Sequence, residues 1–165
     1  MNDQYIIRRA LPEDAFGIHE AHMKSIQELC SKDYTEAEIK AWGHRPYNEE
    51  HRLFAITNHI VYVVAINDSI EGYAQLKFYN DNDIKKAHVM GLYLTSRASG
   101  KDLGTQSLQK LLAEAQKSGV QQVTLESTLT SKDFYLKNGF SEKGSIETIS
   151  INGQEIRCIP MSRSL

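Results

Sequence analysis

The chain has 165 residues, 41% apolar and 24% charged, with a formal net charge of −2. This is the composition of an ordinary globular domain, long enough to bury a core without disulfide or metal staples. The near-balanced charge and scattered basic residues argue against a nucleic-acid surface or an anionic membrane as partner. No apolar run reaches transmembrane length, and the first residues lack the apolar core of a signal peptide. Cys30 and Cys158, far apart in sequence, are the only cysteines. They read as small buried residues in a reducing cytoplasm. No repeat or linker-like stretch interrupts the chain, so a single domain over 1–165 is expected.

Ile6 and Ile7 between polar neighbours predict a first strand at about Tyr5–Arg9. Pro12 suits a helix start, and Ala15, Ile18, His22, Ile26 and Leu29 then recur at helical spacing. Thr35 and Glu38 have capping-box spacing for a second, short helix that stops at Gly43. Pro46–Asn58 reads as a helix or irregular segment at the front and a strand at the back. A three-strand meander follows: Ile60–Ile66, Ile70–Tyr79 and Ile84–Leu94, with turns at Asn67-Asp68-Ser69 and Asp81-Asn82-Asp83. In the third of these strands His88, Met90, Leu92 and Leu94 are expected to share a face.

A helix starting near Lys101 or Asp102 buries Leu108, Leu111, Leu112 and Ala115, and ends at Gly119. Val120–Ser127 is a strand. Thr130 and Asp133 sit at capping spacing ahead of a short helix closing on Asn138-Gly139, and Asn152-Gly153 marks a hairpin. Strand, helix and strand over 84–127 form a βαβ unit whose outer strands should run parallel.

Two stretches carry chemistry. The first is Leu92-Tyr93-Leu94-Thr95-Ser96-Arg97-Ala98-Ser99-Gly100-Lys101-Asp102-Leu103-Gly104, an apolar strand passing through a short loop into a helix. The N–H groups and positive dipole of such a helix start make a seat for phosphate. The second is Phe134-Tyr135-Leu136-Lys137-Asn138-Gly139-Phe140, a short helix leading into a strand. Together, and with the order of elements along nearly the whole chain, they resemble the GCN5-related N-acetyltransferase (GNAT) family. The resemblance implies an α+β fold: a mixed, mostly antiparallel central sheet with flanking helices. The loop departs from the family pattern, with Ser99 in place of a basic or amide residue and Asp102 in place of the middle glycine.

The resemblance further implies an enzyme that moves an acetyl group from acetyl-CoA to a primary amine by direct attack, without a metal. The CoA pyrophosphate would sit on Ser99, Gly100, Lys101, Asp102, Leu103, Gly104 and Thr105. The pantetheine arm and an oxyanion-binding N–H would use Met90, Gly91, Leu92, Tyr93 and Leu94. Tyr135 would protonate the leaving thiolate, the alternative being an aromatic that merely packs beside Phe134 and Phe140. His88 and Glu126, on the strands flanking the site, are the candidate bases; each is equally readable as an ordinary strand residue. Tyr34, Trp42, His44 and Tyr47 cluster where the family builds its acceptor pocket, or pack the second helix onto the sheet. The acceptor would be a small molecule or a peptide, and a homodimer fits the family. The altered loop keeps a second reading open: a non-catalytic acyl-CoA sensor or interaction module. His19 and His22 share a helix face, but no third ligand stands at metal-binding spacing.

Overall fold

A computed structural model describes residues 2–165. It is an α+β structure whose central sheet has the strand order β1-β2-β3-β4-β5-β8-β6, with β7 paired to the outer part of β8. The strands are β1 (Tyr5–Arg9), β2 (Ile60–Ile66), β3 (Ser69–Asp81), β4 (Ile84–Leu94), β5 (Gln122–Ser127), β6 (Ser141–Glu142), β7 (Glu147–Ile151) and β8 (Gln154–Ser164). The helices are α1 (Ala15–Ser25), α2 (Glu36–Trp42), α3 (Glu49–Asn58), α4 (Leu103–Lys117) and α5 (Lys132–Lys137). All neighbouring strands are antiparallel except β4 and β5, which α4 joins in parallel.

Turn chemistry sets the hairpin registers. Asn67-Asp68, Asn82-Asp83 and Asn152-Gly153 all have positive φ at both residues, the backbone that a two-residue turn needs between twisted antiparallel strands. The apolar stripe of α4, Leu108, Leu111, Leu112 and Ala115, packs on one face of the sheet against Ala74, Leu76, Ala87, Val89, Val123 and Leu125. On the other face α1 packs on β3 and β4, burying Ile18 against Val61, Val63 and Tyr73.

Four local readings are corrected. Residues 49–58 are helical throughout, with no strand at the back, because Asn48 Oδ1 accepts from the His51 N–H and two glutamates fill the first turn. The segment after Pro12 is not one regular helix: a 3₁₀ turn over Pro12–Asp14 leads into α1, and a π-helical turn over Ile26–Cys30 follows. Thr130 does not cap α5, since its hydroxyl donates to Asp33. Instead Thr128 Oγ1 accepts from the Ser131 N–H one turn earlier.

The fourth correction matters most. His88, Met90, Leu92 and Leu94 do not share a face. Gln75 pairs with Gly91 but Leu76 pairs with Val89, so Met90 is an extra residue in β4. Such a bulge reverses the alternation beyond it. Val89 and Leu92 therefore both turn toward the α4 core, while Met90 is 48% exposed.

Candidate active site

The bulge coincides with a fork in the sheet. β4 pairs with β5 only from Ala87 to Val89, against Val123 to Leu125. Beyond Val89 the two parallel strands part, and the β5-facing backbone groups of Gly91 to Leu94 have no strand partner. The gap is a narrow slot lined by Met90, Gly91, Leu92, Tyr93, Glu126 and Tyr135, among others.

On one side the slot opens into a groove of about 430 Å³. Its walls are the end of β4 (Leu92, Tyr93, Leu94), the loop and first turn of α4 (Ser99, Gly100, Asp102, Gly104, Thr105), and Thr128, Ser131 and Phe134 around α5. Most of the residues expected to bind CoA thus converge here. Two do not. Lys101 and Leu103 line a separate cavity beside β1 and α4, so Lys101 is not the counter-charge to Asp102. Asp102 itself has φ 63° and makes no side-chain hydrogen bond to the helix end. It is not the side-chain cap that its position suggests, and no side chain covers the first-turn N–H groups of α4. Gly100 also has positive φ. A loop with residues in this conformation, feeding a helix N-terminus, turns its N–H groups toward an anion. Arg97, the one arginine nearby, is drawn off to Asp3 and Glu71. The groove therefore offers backbone rather than guanidinium to a pyrophosphate. Its open length, the unpaired strand edge and the uncapped helix start fit a pantetheine arm and its diphosphate.

Tyr135 stands on α5, 5% exposed, edge-on to both Phe134 and Phe140. The packing alternative is thus part of its environment, but it also lines the slot. Burial pushes its phenol above the ordinary value, so it stays protonated through the neutral range.

His88 and Glu126 are joined. His88 Nε2 lies 2.7 Å from Glu126 Oε2, and His88 Nδ1 lies 2.7 Å from Thr124 Oγ1. The imidazole hydrogen bond holds the Glu126 carboxyl below its ordinary value. Glu126 reaches the slot, and 42% of its side chain is open to solvent. Thr124, which links to the pair through the parallel β4–β5 register, has no motif that would reveal it in the sequence.

On the opposite side of the slot from the groove, Met90 also borders a cavity of about 290 Å³ between α1, the α2–α3 connection, α3 and β3. Its walls include His19, His22, Arg45, Arg52, Tyr73 and Gln75. The sequence reading noticed the shared face of His19 and His22 but not this cavity, whose walls come from residues 19 to 90 with no local pattern. Of the expected acceptor cluster, none lines it. Tyr34 is buried, its hydroxyl donating to the Arg157 carbonyl and accepting from the Leu129 N–H. Trp42 is buried against it. His44 is exposed beside Gln27, and Tyr47 stacks edge-on against Phe16 and near His19. Tyr34 and Trp42 pack α2 onto the sheet, and from the segment between α2 and α3 it is Arg45 that lines the cavity.

Among the described residues no group of three or more His, Cys, Asp or Glu side chains is placed to hold a metal. No described helix is long and apolar enough to cross a membrane. Both cysteines are free and buried.

A sheet that forks beside a bulge, with a helix N-terminus at one end of the gap, defines an acyl-CoA N-acyltransferase fold. The sequence pattern of the acetyltransferase (GNAT) domain matches residues 30–165, and the chain belongs to that family. A GCN5-related N-acetyltransferase from Rhodopseudomonas palustris superposes with a TM-score of 0.84 at 25% identity, over 97% of this chain and 95% of its own. PaiA N-acetyltransferase from Thermoplasma acidophilum, solved with coenzyme A, matches at TM-score 0.77 and 22% identity, over 98% and 99%. An Arabidopsis thaliana protein solved with the bisubstrate analogue CoA-Ac-MVNAL shares the fold at TM-score 0.68 and 17% identity, over 98% and 99%. No curated protein matches significantly.

Proposed function

We propose that this protein transfers an acetyl group from acetyl-CoA to a primary amine by direct attack in a ternary complex. The observation that carries the reading is the slot itself. Tyr135, Glu126 and the bulged Met90–Gly91 backbone meet there, with a long groove on one side and a second cavity on the other. The groove suits the donor. The α4 N-terminus takes the diphosphate, and the unpaired edge of Gly91–Leu94 takes the pantetheine amides. A main-chain N–H at the bulge faces the carbonyl oxygen as it gains charge. The amine comes from the other side. As its nitrogen bonds to the acetyl carbon, its proton passes to the Glu126–His88 pair, directly or through water. As the carbon–sulfur bond breaks, Tyr135 gives its proton to the sulfur, which leaves as the thiol.

The test starts with calorimetric titration of the purified protein with acetyl-CoA at moderate salt. One-to-one, micromolar binding is expected; absence of heat and of thermal stabilisation at millimolar ligand would remove the reading. With an accepted amine in hand, Tyr135→Phe should lower kcat by about 100-fold while leaving the acetyl-CoA Kd unchanged. Tight binding with no turnover of any amine would favour the sensor reading, which the acid in the groove, Asp102, keeps in play.

A further inference from the structure

The cavity beyond Met90 holds cations without acids. Arg45, Arg52, His19, His22 and His51 line it, and no carboxylate does. Neither arginine is in an ion pair among the described residues. Arg45 donates through Nε to the Trp42 carbonyl, and Arg52 rests against the Tyr73 ring and donates through Nη2 to the imidazoles of His22 and His19. Each guanidinium keeps further N–H donors for which the structure provides no acceptor. Half-buried cations without a carboxylate are costly to keep in a fold that has acids elsewhere to pair them with.

His22 belongs to the same wall. A guanidinium only donates, so the contact at 3.0 Å from Arg52 makes His22 Nδ1 an acceptor and leaves the ring proton on Nε2. That Nε2 is buried and has no hydrogen-bond partner. Native interiors rarely leave such a donor unmet; it is closed off behind the cavity wall, so His22 shapes that wall without offering its N–H to an occupant.

We propose that the acceptor amine also carries an anionic group, a carboxylate before a phosphate, which this cavity holds through Arg45 and Arg52. The acceptor is then a small amino-acid-like molecule. Its acid end lies among the basic residues, and its amine is directed past Met90 into the slot, toward Glu126. A cavity of about 290 Å³ suits a molecule of that size. The basic lining disfavours a polyamine or any acceptor whose far end is cationic. This inference rests on the acetyl-transfer reading and names its substrate class.

The experiment compares initial rates of transfer from acetyl-CoA to matched primary amines. Within each set the members differ only in one substituent: carboxylate, phosphate monoester or neutral amide. The charged members should exceed the neutral one in kcat/KM by about 10–100-fold, the range of a hydrogen bond to a charged group, and mainly through KM. The carboxylate and phosphate arms identify which anion is held. Arg52→Gln and Arg45→Gln should bring the ratio toward one, and Arg52→Lys should restore part of it. Equal use of charged and neutral amines by the wild-type protein overturns this inference and leaves acetyl transfer standing. A preference unmoved by both glutamine variants also overturns it. If no amine is used although acetyl-CoA binds, both readings fall together. Should a variant fold poorly, the wild-type ratio decides alone.

Discussion

The two cavities on either side of the slot are made of different material. The groove is built largely of backbone: a strand edge released by a fork, a loop with positive-φ residues, and the open end of a helix. The cavity across the slot is built of side chains drawn from α1, the α2–α3 connection, α3 and β3. A seat made of backbone tolerates changes of sequence, so Ser99 and Asp102 can replace the usual loop residues without altering its shape. A seat made of side chains is remade by each substitution. In the proposed reading, donor recognition is therefore a property of the fold, and acceptor recognition a property of this chain.

Gly91 tests how sharply the two sides are divided. A Cβ there would come within 2.7 Å of the Tyr73 hydroxyl and 3.3 Å of the Tyr93 ring. Tyr73 is buried and stacked on Tyr93, with its hydroxyl 3.2 Å from His22 Nδ1, so it has little freedom to retreat. Gly91→Ala should displace the Tyr73–His22 wall of the acceptor cavity. A shift of about 1 Å there costs about 100-fold in kcat/KM for the amine, by the usual sensitivity of positioned reactants. The acetyl-CoA Kd should change far less, because the added methyl meets Tyr73 of the acceptor cavity most closely. Equal losses on both sides would show that the bulge, rather than the two walls, is the unit that matters.

A second test loosens the acceptor side through its anchor. The α2–α3 connection that carries Arg45 follows α2, and α2 is tied to β8 by Glu38. The buried Glu38 carboxylate accepts from the Thr35 N–H and from Nε and Nη2 of Arg157. The Arg157 guanidinium beside it holds the Glu38 carboxyl down at about 2, from an ordinary 4.5. Because the folded value is the lower one, this contribution is fully present above pH 4.5. It is lost as the pH falls from there through about 2. Glu38→Gln should lower Tm by several degrees at pH 7, with the difference from wild type shrinking as the pH drops through that window. Hydrogen exchange in acid should rise first in α2 and the segment after it, and later in β4 and α4. A pH-independent difference in Tm would assign the effect to packing around α2 rather than to the Glu38 charge, since glutamine keeps the capping box.

The same contrast explains what could be read from the sequence. The bounds of β1, β2 and β4, the Thr35–Glu38 box, the Asn-Asp and Asn-Gly turns and the stripe of α4 all follow from chemistry within a few residues. Half of the groove wall was legible for the same reason, since it lies on one continuous stretch from Leu92 to Thr105. The bulge was not, because Met90 satisfies the alternation of a plain strand and only the pairing with β3 exposes the extra residue. Nor was α3, whose apolar residues fit two periods and whose Asn48 cap sits behind a proline and a tyrosine. The acceptor cavity was hidden completely. Arg45, Arg52, His22 and Tyr73 become neighbours only through packing of α1 and α3 on the sheet, which no local pattern announces.

Asp102 offers the smallest effect, and the one that asks whether the backbone seat is indifferent to side chains. Asp102 lines the groove at the start of α4, where Lys32 is the cation in the same wall, Lys101 lines a different cavity and Arg97 is paired with Asp3 and Glu71. Asn accepts left-handed backbone well, so Asp102→Asn keeps the loop at φ 63° and removes only the charge. Two unit charges about 7 Å apart in water repel by about 0.6 kcal/mol, which is about three-fold in affinity. The substitution should therefore tighten acetyl-CoA binding about three-fold at low salt, with the gain fading as salt shortens the reach of the charge. A gain that persists at high salt would point to a direct contest for the α4 N–H groups. No gain at either salt would mean that the carboxylate faces solvent and that the groove's fit for CoA is set by its backbone alone.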